Sequence, residues 1–300
     1  MKYQILTVLL FFSLSNLAQS FNDLITLANQ QYQSKDFIES GKSYEQAFTI
    51  QKGSSSQYYN AACSFALAGQ NNNAVDYLTK AVNAGWTNVS HLKSDTDLTN
   101  LHEVPEWTDI IKIAQANLDE YEKDFNKPLK TQLEQIYVRD QMLRQLWRDA
   151  ETKFGKDSDE MKYFWKLMAR EDSLNEADVI GIIDQYGWVG KNVVGGKANI
   201  TLWLVIQHAS LELQEKYVPL LEESVKKGES NGSHLALLHD RILMRNGKPQ
   251  KYGSQIVSDP DTGKDKLYDL EDPENVNDRR QSVGLGPLED YLERMGVESK

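Results

Sequence analysis

Residues 21–54, FNDLITLANQQYQSKDFIESGKSYEQAFTIQKGS, and residues 55–88, SSQYYNAACSFALAGQNNNAVDYLTKAVNAGWTN, align without a gap at a period of 34. Ala28 falls on Ala62, Ser40 on Ala74, Tyr44 on Leu78, Ala47 on Ala81 and Phe48 on Val82. Between the apolar runs, Lys35-Asp36-Phe37 falls on Gly69-Gln70-Asn71. Small residues at repeated places let two antiparallel helices approach closely, and the large ones fill the groove beside them. One such hairpin cannot bury its apolar face alone, so the copies must stack. Cys63, the one cysteine, sits beside Ala62 on the packing face and reads as a core residue.

This pattern resembles the tetratricopeptide repeat in two copies, although the helix-ending proline usual in that family is absent from both. Residues 86–118 continue the array, through Trp86, Leu98, Leu101, Pro105 and Trp107 into a helix reaching about Tyr121. The stretch Asp97–His102 is similar to the closing segment of such arrays in exported bacterial proteins, and a terminal repeat needs a cap over its open end. His91 and His102 lie in this cap and read as surface or packing residues. By analogy of fold, the array implies a peptide or another envelope component as partner.

The amino terminus points outward from the cell. Met1-Lys2 precedes an apolar run, Ile5–Leu14, broken only by Thr7 and Ser13, and a polar stretch, Ser15–Ser20, follows. That is signal-peptide architecture over residues 1–20, with cleavage expected after Ala18 or Ser20 and a periplasmic or extracellular destination. The run is half of the roughly 20 residues that a membrane span needs, and no later stretch is apolar enough to span. The net charge of −11 opposes binding to phosphate backbones, so a nucleic-acid partner is not expected. With 40% hydrophobic and 26% charged residues the composition is globular. A single cysteine excludes an intramolecular disulfide and a cysteine-based zinc site.

Asp124–Pro128 breaks the helical pattern, which sets residues 122–128 as a linker between 21–121 and an α-rich domain at 129–300. Leu129, Leu133, Ile136, Leu143, Trp147 and Ala150 then form a helical stripe with one gap, Asp140. A carboxylate on a core face needs a partner, and Arg144 one turn later can supply it, either as a structural pair or as part of a site. Helices are expected at Asp159–Arg170, Glu176–Tyr186, Ala198–Ala209, about Glu212–Lys227, and from Ser233 as cap. The third is apolar almost all round, hence buried, and ends in Gln207-His208. Lys251–Ser258 and Lys266–Leu270 flank a turn and read as a β-hairpin, with Gln250, Tyr252 and Ser254 on one strand face. Asp272 is expected to cap a short helix opened by Pro273, and Gly286-Pro287 opens the last one. The fold class is mainly α: a helical hairpin array followed by an α-rich domain with one small β-hairpin.

The second half resembles an uncharacterised, mostly bacterial family catalogued as domain of unknown function 6624. The residues that carry the likeness are Asp140-Gln141, Arg144, Tyr186-Gly187-Trp188, Gln207-His208-Ala209, Asp240-Arg241, Gly247–Gln255, Glu271–Val276 and Arg279-Arg280. Val189, Ser210 and Ser254 depart from the usual Pro, acid and Thr. The likeness implies a domain and a set of polar residues, not a reaction.

Of that set, His208 is a general acid–base candidate, since an imidazole titrates near working pH, and Asp240 or Asp140 could orient it. Arg144, Arg241 and Arg279 could hold an anionic or carbonyl group. Asp140, Arg144, His208, Asp240, Arg241, Gln250, Tyr252 and Gln255 are expected in one pocket. Two readings follow: an exported binding protein, placed first, or a hydrolase or transferase using His208. The order His208, His239-Asp240, then Asp259 or Asp272 imitates metal-dependent phosphohydrolases more distantly; no metal and no cofactor is expected.

Overall fold

The computed structural model describes residues 20–260 and 262–297, so the expected leader, apart from Ser20, lies outside the described residues. The chain is mainly α and forms two compact units divided between Lys123 and Asp124. Among the described residues no helix is long and apolar enough to cross a membrane.

The first unit holds α1 (Phe21–Gln33), α2 (Phe37–Ile50), α3 (Ser55–Leu67), α4 (Asn71–Asn83), α5 (Val89–Ser94), a 3-10 turn (Thr96–Leu101) and α6 (Trp107–Tyr121). The repeat is written into the backbone. Ser20 and Ser54, one period apart, cap α1 and α3 through the same reciprocal box, with Asp23 and Gln57 returning a bond to the cap. Lys35 and Gly69, which align, both take positive φ, 62° and 73°, at the hairpin turns. Ala28, Tyr44, Ala62, Ala74, Leu78, Ala81 and Val82 are all buried in one core, and Ala47 is buried as well. Ser40 is wholly buried yet satisfied, because its hydroxyl donates to the Ala28 carbonyl at 2.8 Å and meets Ser64 Oγ at 2.9 Å.

The second unit is built from α7 (Lys127–Phe154), α8 (Asp159–Tyr186), α9 (Lys191–Val194), α10 (Gly196–His208), α11 (Leu211–Lys226), α12 (Gly232–Arg245), β1 (Ile256–Ser258), β2 (Asp265–Leu267), a 3-10 turn (Pro273–Asn275), α13 (Val276–Ser282) and α14 (Leu288–Met295). Helix α10 is central, packed against α7, α8, α9, α11 and α12. Its Leu202 and Ile206 are fully buried in a core shared with Leu133, Ile136, Val179, Ile183, Leu221 and Leu238. At roughly 1.5–3 kcal/mol for each such side chain, this burial fixes the C-terminal end of α10, where His208 sits.

Several expected boundaries move, each for a local reason. α7 starts at Lys127, inside the expected linker, because Asn126 Oδ1 accepts the Leu129 N–H at 3.2 Å and Pro128 suits a first helical turn. α8 runs unbroken where two helices were expected: Glu171-Asp172-Ser173 contains no Gly or Pro, and Ser173 Oγ bonds back to the Ala169 carbonyl at 3.0 Å. α12 is flanked by Asn231 and not by Ser233. Asp272 makes no cap bond; it takes φ 47°, and its side chain pairs with Asn275 and Arg279. The hairpin shrinks to Ile256↔Leu267, Val257↔Lys266 and Ser258↔Asp265. Residues 251–255 are not a strand, so Tyr252 and Ser254 share no strand face.

Candidate functional site

Asp140 falls where the α7 stripe meets α8 and α10, and it is 1% exposed. Three neighbours answer its charge. His208 Nδ1 lies 3.4 Å and Arg144 Nη1 3.3 Å from Oδ1, while Gln141 Nε2 donates to Oδ2 at 2.6 Å. Arg144 also donates to the Asp140 carbonyl at 2.7 Å and to Asp172 Oδ1 at 2.8 Å, bridging α7 and α8. Burial pushes the Asp140 carboxyl up, but the bond and charge of His208, the Arg144 charge and the Gln141 amide outweigh it, and the carboxyl rests below its ordinary value. A small void of about 10 Å³ is lined by Asp140, Asp172, Glu176, Val205, His208 and Ala209, room for roughly one water. With Nδ1 turned to a carboxylate, the imidazole keeps Nε2 as its other proton-transfer atom.

Asp240 belongs to a different assembly. It is wholly buried on α12, and both its oxygens receive donors from the following loop. Lys251 N donates at 2.7 Å, Tyr252 N at 3.0 and 3.1 Å, Ser254 N at 3.0 Å and Ser254 Oγ at 2.9 Å. These N–H groups would have entered a strand ladder; the carboxylate takes them instead. Gln250 crosslinks the same loop, donating to the Gln255 and Tyr268 carbonyls at 3.0 and 2.9 Å and accepting from Gln255 N at 2.8 Å. Gln255 Nε2 in turn donates to Ser254 Oγ at 3.0 Å. Arg279 clamps the Lys251, Glu271 and Asp272 carbonyls, and Arg280 clamps those of Tyr252 and Gly286.

The expected constellation therefore divides in two. Asp140, Arg144 and His208 come together, and Asp140 is the carboxylate that meets the imidazole. Asp240, Gln250, Tyr252, Gln255 and Arg279 hold a loop. Arg241 joins the two, donating to the Gln207 carbonyl at 3.2 Å, one residue before His208. His239 turns to Glu222 at 2.9 Å and His234 stacks on Trp203 at 4.3 Å, so the phosphohydrolase order has no matching metal cluster among the described residues.

Sequence reasoning missed Asp172 because it placed a helix break there, and it gave no site role to Glu176, which it set at a helix start. It also gave no role to a cleft of about 420 Å³ beside Tyr186-Gly187-Trp188, lined too by Asn126, Leu129, Leu220, Glu223, Ser224, Lys227 and Glu229. Trp188 is 8% exposed, and its indole N–H has no partner among the described residues.

A sequence model for a family of unknown function (DUF6624) matches residues 128–298. The chain belongs to that family. The DUF6624 region holds the Asp140–His208 group, the Asp240 loop and all but Asn126 of the Trp188 cleft, while the helical hairpins of the first unit lie outside it. No curated protein and no solved structure matches the chain.

Proposed function

We propose that this is an exported binding protein: tetratricopeptide-like repeats engage a peptide or envelope partner, and the DUF6624 domain holds a small polar ligand beside Trp188. The supporting observation is the cleft itself. Its volume of about 420 Å³ falls in the usual range for ligand sites, roughly 300–1,000 Å³, and the void at His208 does not. Apolar walls from Leu129, Val189, Val193 and Leu220 carry a polar rim of Asn126, Ser224, Glu229 and the Glu223–Lys227 ion pair, and the Trp188 ring forms part of the lining. The test is a thermal-shift screen with small polar compounds and short peptides, repeated on Trp188→Phe. Ligands of this cleft raise the melting temperature and lose affinity in the variant. Ligands that bind Trp188→Phe equally well place the site elsewhere.

A second reading, acid–base catalysis by His208, is favoured by one contact, that of Nδ1 with buried Asp140. His208→Gln then abolishes turnover of a chromogenic ester, phosphate or glycoside while melting stays within a few degrees. Turnover that survives the substitution refutes it.

A further inference from the structure

The first unit carries a cleft of about 380 Å³ where α1, α3, α5 and the 3-10 turn meet, lined by Asn29, Tyr32, Gln33, Tyr44, Tyr59, Asn60, Cys63, His91, Asp95 and Asp97. Among the described residues no Lys or Arg lines it. The donor set is mixed: one thiol, one imidazole and two carboxylates. Ligand atoms of Cys63, Asp95 and Asp97 lie within 4.8 Å of one another. Asp95 Oδ2 is 3.8 Å from Cys63 Sγ and 3.3 Å from His91 Nε2. Metal–sulfur and metal–nitrogen bonds of about 2.3 and 2.0 Å give a tetrahedral site edges of roughly 3.3–3.6 Å. The Cys63–Asp95 and Asp95–His91 pairs stand close to that spacing, while His91 lies outside the group of mutually close ligand atoms.

The surroundings hold these groups as outer donors hold ligands. Cys63 is 5% exposed in the middle of α3, so its direction is set by helix packing. Asp95 fixes one oxygen on the Asp97 N–H at 3.1 Å and presents the other to the cleft, where Tyr59 OH donates to it at 2.7 Å. Tyr59 is itself pinned by Trp86, stacked at 4.0 Å. Tyr32 OH donates to Asp97 in the same way.

We propose that Cys63, Asp95 and Asp97 bind one borderline divalent cation of the zinc class, with His91, which already reaches Asp95, closing on it as the fourth ligand. Thiol and imidazole disfavour calcium and magnesium, which take oxygen ligands. On binding, the Cys63 S–H bond breaks, a sulfur–metal bond forms, and the proton leaves to solvent. No electrons are transferred. Counting cysteines does not anticipate such a site, because one thiolate suffices when carboxylates and an imidazole complete the set.

The probe is cobalt(II), titrated into the purified chain, with zinc(II) in a parallel thermal-shift series. One equivalent of cobalt produces a thiolate-to-cobalt charge-transfer band in the near ultraviolet, and zinc raises the melting temperature. Cys63→Ser abolishes the band. Tyr59→Phe, which removes only an orienting hydroxyl, weakens binding about 10–100-fold. His91→Gln, at a side chain 49% exposed and so safe for folding, weakens it too. Absence of the band in the wild-type chain overturns the proposal, as does zinc stabilisation that is equal in Cys63→Ser and His91→Gln.

Discussion

Replacing Asp240 by Asn changes one oxygen and isolates what that carboxylate does. The variant keeps shape and burial but turns one acceptor into a donor and removes the charge. Whichever way the amide faces, one side of the loop loses its acceptor: Lys251 and part of Tyr252 if Oδ1 is lost, Ser254 and the rest of Tyr252 if Oδ2 is lost. A stranded buried donor costs about 1–3 kcal/mol, and the surviving bonds lose their charge assistance. The sum is about 3–5 kcal/mol. For a unit of this size each kcal/mol moves the melting point by roughly 2–4 °C, so the expected loss is about 6–20 °C. Thermal unfolding followed by circular dichroism measures it. Amide hydrogen exchange adds location, since the Lys251, Tyr252 and Ser254 amides should exchange faster by about a hundredfold or more at 1.4 kcal/mol per tenfold. An unchanged melting point with those amides still protected would refute the structural role and return Asp240 to the list of site residues.

Three further outcomes are expected. Asp140, held below its ordinary value, binds fewer protons folded than unfolded, so its contribution is complete above the unfolded value of 3.8 and is lost as pH falls through the lower folded value. Asp140→Asn should therefore flatten the acid limb of the stability–pH profile; an unaltered limb contradicts the pairing with His208 and Arg144. Gly253→Ala puts a side chain at φ 68° with its Cβ 2.8 Å from Leu288 Cδ1, costing about 1–2 kcal/mol from the backbone alone, which urea unfolding will read. Gly41→Ala places a methyl 2.6 Å from the Phe65 ring and should destabilise by about 1–3 kcal/mol through overpacking between α2 and α3. A neutral result there would mean that Phe65 can rotate away.

The sequence was most legible where contacts are local and repeated. Ala28 and Ala62 announce a packing face because the same small–large pattern returns one period later, and Asp140 stands out as a polar residue in an apolar stripe. It was least legible where one side chain overrides a regional pattern. Residues 251–258 alternate well enough to read as a strand, yet the Asp240 carboxylate, on the preceding helix, takes the 251, 252 and 254 N–H groups from a ladder. Asp172 looked like a break between helices because its partner, Arg144, lies on another helix. Periodicity exposes which faces are buried, but not which polar partners will meet there.

The bond from Tyr32 on α1 to Asp97 in the 3-10 turn also bears on how this protein can change length. Stacked hairpins tolerate duplication, since an extra copy meets the same neighbouring surface as its template. A hairpin inserted between residues 54 and 55 would preserve the alanine packing on both sides. It would also carry Tyr32 one full repeat away from Asp97, leaving a tyrosine and a carboxylate without each other. Any hairpin that takes this place must therefore bring a hydroxyl where Tyr32 now stands if Asp97 is to keep that donor.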